Sequence, residues 1–331
     1  MSNRFDISKP MQVGGQAVLE GVMMRAPGMV ATAVRRANGE IVVKKERHLS
    51  LGEKYPLFKM PIMRGAVGLI EMMVIGMRTL NFSAEIAMNE QVSGNGVNGT
   101  TAKSPKENVK LGLTVAFSLV VGVAIFFVTP LLVTTFFFDV SQEAFSFNLI
   151  AGFVRISLLL VYLVAISMMK DIKRLFEYHG AEHKAVFAFE RGQGLTVEAA
   201  AQQTRFHPRC GTSFLLIVMI TSILLFSVLD TLLINWLGQL TILTRMLTHL
   251  PLIPLVGGVS YEFIKASAKR SETLIGRIVV APGLWLQKIT TKEPDETQLE
   301  VALVALRCAL GEEFAMSSPV NVLALEEMSR N

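Results

Sequence analysis

The stretch FLLIVMITSILLFSVLDTLLINWL, residues 214–237, decides the fold. It carries a single charge, Asp230, and is longer than the ~20 apolar residues that cross a hydrocarbon core of about 30 Å. Three more segments share its character: Leu111 to Phe138, Phe147 to Met169, and Leu240 to Tyr261. The composition agrees, with 331 residues, 51% hydrophobic, 18% charged and a mean hydropathy of +0.46, where soluble domains carry about 25% charged residues. A purely soluble protein is excluded. The segment from Leu240 holds Arg245, His249, Pro251, Pro254 and Gly257-Gly258, which predicts a kinked or broken helix. Asp230 and Arg155 are too costly to face lipid and are expected toward the bundle or its rim. His249 is expected to be structural or interfacial.

Lys and Arg set the orientation. The connection Asp139 to Ser146 has neither, whereas Lys170, Lys173, Arg174, Lys184, Arg191, Arg205 and Arg209 lie between the second and third segments. Lys265, Lys269 and Arg270 follow the fourth. The positive-inside rule then predicts that both termini and the Lys170 to Ser213 loop of a multi-pass membrane protein face the cytoplasm. The helix from Pro61 to about Met88 is interrupted by Arg64, Glu71 and Arg78, so it is read as amphipathic, on the membrane surface or against the bundle. The net charge of +5 comes from scattered residues without a basic aromatic platform, which argues against nucleic acid. Cys210 and Cys308 are too few and too far apart to imply a disulfide framework, and the opening MSNRFDISKPMQ, with no apolar core after a basic run, is not expected to act as a secretory signal.

The expected fold class is mainly α and integral to the membrane: a four-helix transmembrane bundle with a small N-terminal cytoplasmic β unit and a C-terminal amphipathic helix. The divisions are a β-rich unit over 1–60, the interfacial helix over 61–90, a disordered linker over 91–108, the bundle over 109–264 with its loop 170–213, and a cytoplasmic segment over 265–331. In the first unit, Ala31 to Arg36 and Glu40 to Lys45 flank Ala37-Asn38-Gly39, a hairpin cue. Gly14-Gly15-Gln16 is read as a turn, Pro282-Gly283 as another, and Trp285 as an interfacial anchor. Glu296 to Leu310 is read as an amphipathic helix with Leu299, Leu303 and Leu306 on one stripe.

The chemistry is concentrated in the loop Lys170 to Ser213. Taken as a helix from Asp171 to Arg191, it puts Ile172, Leu175, Phe176, His179, Glu182, His183, Val186 and Phe187 on one face. His179-Gly180-Ala181-Glu182-His183 is H-x-x-E-H, the inverse of H-E-x-x-H, in which two imidazoles a turn apart hold a metal and the Glu is the base. A catalytic zinc takes about three protein ligands. His207, Cys210 and Glu262 are the candidates to complete the set, because the ends of three spans meet at one boundary. The bland alternatives stay open: histidines bonded to carbonyls or to Glu177 and Glu182, a buried inert thiol at Cys210, and a Glu262 paired with Lys265 or Arg270. His48 is expected at the surface.

Tyr178-His179-Gly180-Ala181-Glu182-His183-Lys184, His207-Pro208-Arg209-Cys210-Gly211-Thr212-Ser213, Tyr261-Glu262 and Pro282-Gly283-Leu284-Trp285-Leu286-Gln287 resemble the YqhQ-like family of bacterial membrane proteins. So do Thr290-Thr291-Lys292-Glu293-Pro294 and Gly14 to Arg25. The likeness covers nearly all of the chain outside 91–108. It implies a domain of unknown function, often labelled a predicted metal-dependent enzyme, and supplies no substrate.

The functional expectation is a membrane metal-binding protein, hydrolase-like, acting at the cytoplasmic face on a peptide, lipid or acyl substrate. Glu182 is its base, and His179 and His183 its ligands with His207, Cys210 or Glu262. Zinc is the default ion and iron the alternative. The rival class is a non-catalytic scaffold or transporter with a structural metal site. Arg155, Asp230, Arg245 and His249 are expected to form no relay.

Overall fold

The computed structural model of the chain describes residues 13–89, 105–268, 273–311 and 320–327. Its strands are β1 (Gly14–Val18), β2 (Gly21–Ala26), β3 (Gly28–Arg35), β4 (Ile41–His48) and β5 (Val320–Glu327). Its helices are α1 (Leu51–Lys54), α2 (Met63–Asn89), α3 (Pro105–Val123), α4 (Thr129–Phe137), α5 (Ala144–Ser167), α6 (Lys170–Glu190), α7 (Val197–Ala201), α8 (Gly211–Leu237), α9 (Ile242–His249), α10 (Ile253–Ala268), α11 (Leu274–Thr290) and α12 (Glu296–Leu310).

The sheet order is β1-β2-β3-β4-β5, antiparallel except for the parallel β4/β5 pair. The expected hairpin is there, with Arg35 opposite Ile41 and Gly39 in its loop at φ +87°, a conformation glycine adopts without penalty. Gly14-Gly15 is strand rather than turn. Alternate residues of the sheet feed two apolar layers. Ala31, Ala33, Ile41 and Val43 pack with α6 and α12, while Val30, Val34 and Val42 pack with Ile75 and Ile86 of α2. With layers on both faces, the strands carry apolar residues on both.

α12 keeps its expected bounds and is capped at Asp295 by a capping box and at Gly311 by a left-handed residue. It is not amphipathic. Leu299, Leu303 and Leu306 are buried, and so are Val301, Ala302, Val304, Ala305 and Cys308, because sheet and α6 enclose it. α6 is likewise buried around most of its circumference from Tyr178 to Ala188, with His179 and Phe187 half-buried, where one buried face was expected.

Among the described residues, five helical stretches are long and apolar enough to cross a membrane: Met63–Ala87, Gly112–Phe137, Ala144–Ser167, Gly211–Leu237 and Ile242–Ala266. Their outward side chains, among them Phe117, Phe153, Val161 and Trp236, are widely exposed, which points to a lipid bilayer as their environment. The last is broken as its prolines predict, into α9, a 3₁₀ turn at Leu250–Leu252, and α10. The first, α2, begins against α10, where a Cβ on Gly65 would fall 3.0 Å from the Gly258 Cα. Its later turns lie on the sheet, with Gln16 donating to Thr79 Oγ1 at 3.0 Å and the Leu19 N–H to Ser83 Oγ at 3.3 Å. The 91–108 linker falls mostly outside the described residues, and Pro105 to Asn108 belong to α3.

Inside the bundle the polar residues do meet. A π-turn at Ala124–Val128 joins α3 to α4. Pro130 has no N–H for the Phe126 carbonyl four residues back, and that carbonyl instead accepts Arg155 Nε at 3.0 Å. Asp230 accepts Asn148 Nδ2 at 2.8 Å, Arg245 Nε at 2.9 Å and His249 Nε2 at 2.8 Å. Asp230, Arg245 and His249 are at most 1% exposed and form one buried hydrogen-bonded cluster, from which Arg155, bonded to Phe126 and Ser222, stands apart.

Candidate metal centre

α6 follows α5 after a two-residue break at Met168-Met169, so it leaves the bundle end and runs along the sheet. His179 and His183, a turn apart on α6, have ring centroids 4.5 Å apart. Cys210, the N-cap of α8, accepts the Thr212 N–H at its sulfur. His179 Nε2 lies 3.3 Å from Cys210 Sγ, and the ligand atoms of His179, His183 and Cys210 all fall within 4.8 Å of one another.

What aims the imidazoles is behind them. His179 Nδ1 donates to the Thr290 carbonyl at 2.8 Å, at the end of α11, and His183 Nδ1 donates to the Arg205 carbonyl. A carbonyl can only accept, so both rings carry their proton on Nδ1 and turn a bare Nε2 toward the sulfur. His183 Nε2 is buried without a hydrogen-bond partner. Burial pushes the His183 imidazole below its ordinary pKa, which favours the neutral form that binds metals. A convergent His₂Cys set with one orphaned buried nitrogen fits a zinc-like ion and leaves a fourth position open.

Glu182 points from the same turn, with Oε2 3.5 Å from His183 Nε2. Burial raises its carboxyl above the usual range, opposed by the nearby His179 and His207 and by the Gly15 backbone N–H that donates to it. β1 has to pass this closely: a Cβ on Gly15 would stand 2.3 Å from the Met23 carbonyl oxygen and 3.1 Å from Glu182 Cγ. Gly15 therefore supports the site.

His207 and Glu262 are not brought into the cluster. The His207 ring lies 5.6 Å from that of His183, with Nε2 3.3 Å from Glu190 Oε2 and Nδ1 accepting the Arg209 N–H. Gln287 grips its backbone on both sides, accepting from the N–H and donating to the carbonyl at 2.8 Å each. Glu262 is held by Arg64 and the Ile62 N–H, where α10 meets the start of α2. The end of the fourth span turns toward α2, and α11 takes the place at the site that the sequence reading gave it. His48 is half-buried at the end of β4.

A largely helical chain with long apolar helices and a His₂Cys cluster at one end of them points to a class of membrane protein, and its sequence places it in a family. A family model described as "Protein of unknown function (DUF1385)" matches residues 60–312. The chain is 34% identical over 302 residues to the uncharacterized protein YqhQ of Bacillus subtilis (strain 168), covering 89% of this chain and 91% of that one. The chain belongs to the DUF1385 family. No solved structure matches it.

Proposed function

We propose that the protein is a metal-dependent, hydrolase-like membrane enzyme whose ion is held by His179, His183 and Cys210, zinc by default and iron as the alternative. The observation that carries this is the buried His183 Nε2, which makes no hydrogen bond, in a cluster whose His179, His183 and Cys210 ligand atoms lie within 4.8 Å of one another. When bound, the ion would polarise a carbonyl or phosphoryl oxygen and acidify a water. Glu182 is the proton acceptor: its carboxylate lies 3.5 Å from His183 Nε2, and its raised pKa brings it toward the range where a base takes and returns a proton. Gly15 fixes that carboxylate, while Thr290 and Arg205 hold the imidazoles in one tautomer. His207 and Arg209, both on Glu190, form the wall next to the site. The reading puts four spans in an inner membrane, with α2 on its surface and the sheet, both termini and the centre in the cytoplasm.

Glu182→Gln tests it, because the amide keeps the shape and cannot act as a base. The variant should keep its metal yet fail to complement a deletion strain, with activity down ~10²- to 10⁴-fold. Full complementation alongside failure of His183→Ala would make the ion structural. The buried Asp230-Arg245-His249-Asn148 network favours a second reading, a transporter or scaffold, because ionisable groups inside a span commonly mark a pathway.

A further inference from the structure

One helix at the site has two faces of different chemistry. On α11, Gly283, Leu286, Gln287 and Thr290 recur at helical spacing, and all four are buried. Gly283 lets α11 close on α8, where a Cβ would stand 2.4 Å from Ser213 Cβ. Gln287 clamps His207, and the Thr290 carbonyl orients His179. The opposite stripe is apolar and uncovered, with Leu274 75%, Ile278 63% and Trp285 65% exposed, flanked by the exposed cations Arg277 and Lys288.

The depth of that stripe is fixed by its neighbour. Leu286 packs on Leu159 and Leu163 of α5. These lie two turns and one turn before Ser167, the last residue of α5, or roughly 12 and 6 Å along the helix at 1.5 Å per residue. Trp285 is therefore level with the upper turns of a lipid-facing helix and points away from the bundle. Helices lying in a leaflet bury their apolar face to about 5–10 Å and place Trp, Lys and Arg at the boundary. We propose that α11 is seated in the bilayer leaflet on the sheet side, its Leu274-Ile278-Trp285 stripe in the acyl region and Arg277 and Lys288 at the headgroups. The surface is continuous with the lipid-facing side of α5, so its occupant is lipid rather than another protein. Resting on the hydrolase reading, this names the substrate class: an amphiphile rooted in that leaflet, with its scissile carbonyl at headgroup depth.

The chain has two tryptophans, Trp236 near the far end of α8 and Trp285, so Trp236→Phe leaves a single reporter. The full-length variant is reconstituted into phosphatidylcholine bilayers brominated near the carbonyl end or near the methyl end of the acyl chain, and into unbrominated ones with aqueous iodide. Trp285 emission should be quenched most by bromine near the carbonyl end and little by iodide. Dominant iodide quenching would put the stripe in water, strongest quenching by the methyl-end bromines would make α11 a deep span, and no quenching would mean a protein partner covers it; each overturns the proposal. The same measurement on Trp236→Phe/His183→Ala separates the claims. Unchanged quenching with metal lost keeps the leaflet seat apart from the metal reading, and metal retained in that variant would sink the metal reading alone.

Discussion

His183→Ala removes a donor whose whole environment is on view. The imidazole is 2% exposed, anchored through Nδ1 to the Arg205 carbonyl, with Nε2 directed at His179 and Cys210. An apparent zinc affinity of about 10–16 kcal/mol in a four-coordinate site is ~2.5–4 kcal/mol per bond, so loss of one imidazole should weaken binding roughly 60- to 700-fold. The orphaned Arg205 carbonyl adds a folding penalty of about 1–3 kcal/mol. His207→Ala is the matched control: its ring is also buried, at 4% exposure, yet it lies outside the cluster. Metal per chain is measured by mass spectrometry on detergent-purified protein, and affinity by chelator competition. The expectation is near-complete loss in His183→Ala and His179→Ala, with retention in His207→Ala. Stoichiometric metal in the double His179→Ala/His183→Ala variant would refute the reasoning, as would equal loss from His207→Ala.

Three other outcomes follow from the packing. In Gly180→Ala the new Cβ would sit 2.1 Å from the Lys292 carbonyl oxygen. It should displace the segment whose Lys292 N–H donates to Phe176, lowering thermal stability by about 1–3 kcal/mol and loosening the metal; an unchanged melting curve would show that contact to be soft. Asp230→Ala strands the buried Arg245 and should destabilise the bundle by ~3–5 kcal/mol, read as loss of folded protein in mild detergent; a wild-type yield would remove the network from any structural role. Single cysteines at Gln193 and Gln142, in a background lacking Cys210 and Cys308, should label only from inside and only from outside intact cells respectively, and the reverse pattern would invert the topology.

Local signals were the legible ones. Apolar length marked the spans, Asn38-Gly39 marked the hairpin, and helical spacing placed His179, Glu182 and His183 on adjoining turns. Cys210 was within reach because it caps a span. The groups that aim the site were hidden, since the Thr290 and Arg205 carbonyls have no side-chain signature and join it across 111 and 22 residues. Gly15 was hidden because close approach by a strand looks like a turn in sequence. Pro282-Gly283 was misread for a similar reason: the pair lies within α11, where Pro282 is on the exposed side and Gly283 is needed against Ser213. Periodicity also misjudged α6 and α12, since helices enclosed on all sides have no polar stripe to lose.

The first strands are closed by the last elements of the chain. β4 pairs with β5, α12 covers β2 and β3, and Arg35 bonds Glu300 across 265 residues. At roughly 5–20 residues per second, a ribosome needs about 13–50 s to go from β4 to the end of α12. Through that interval Ala31, Ala33 and Ile41 lack the α12 part of their cover while every apolar helix is made. The sheet thus acts as a latch thrown late: its α12 layer closes over β2 and β3 only after every apolar helix has been made, and a truncation that removes α12 would leave Ala31, Ala33 and Ile41 without that cover.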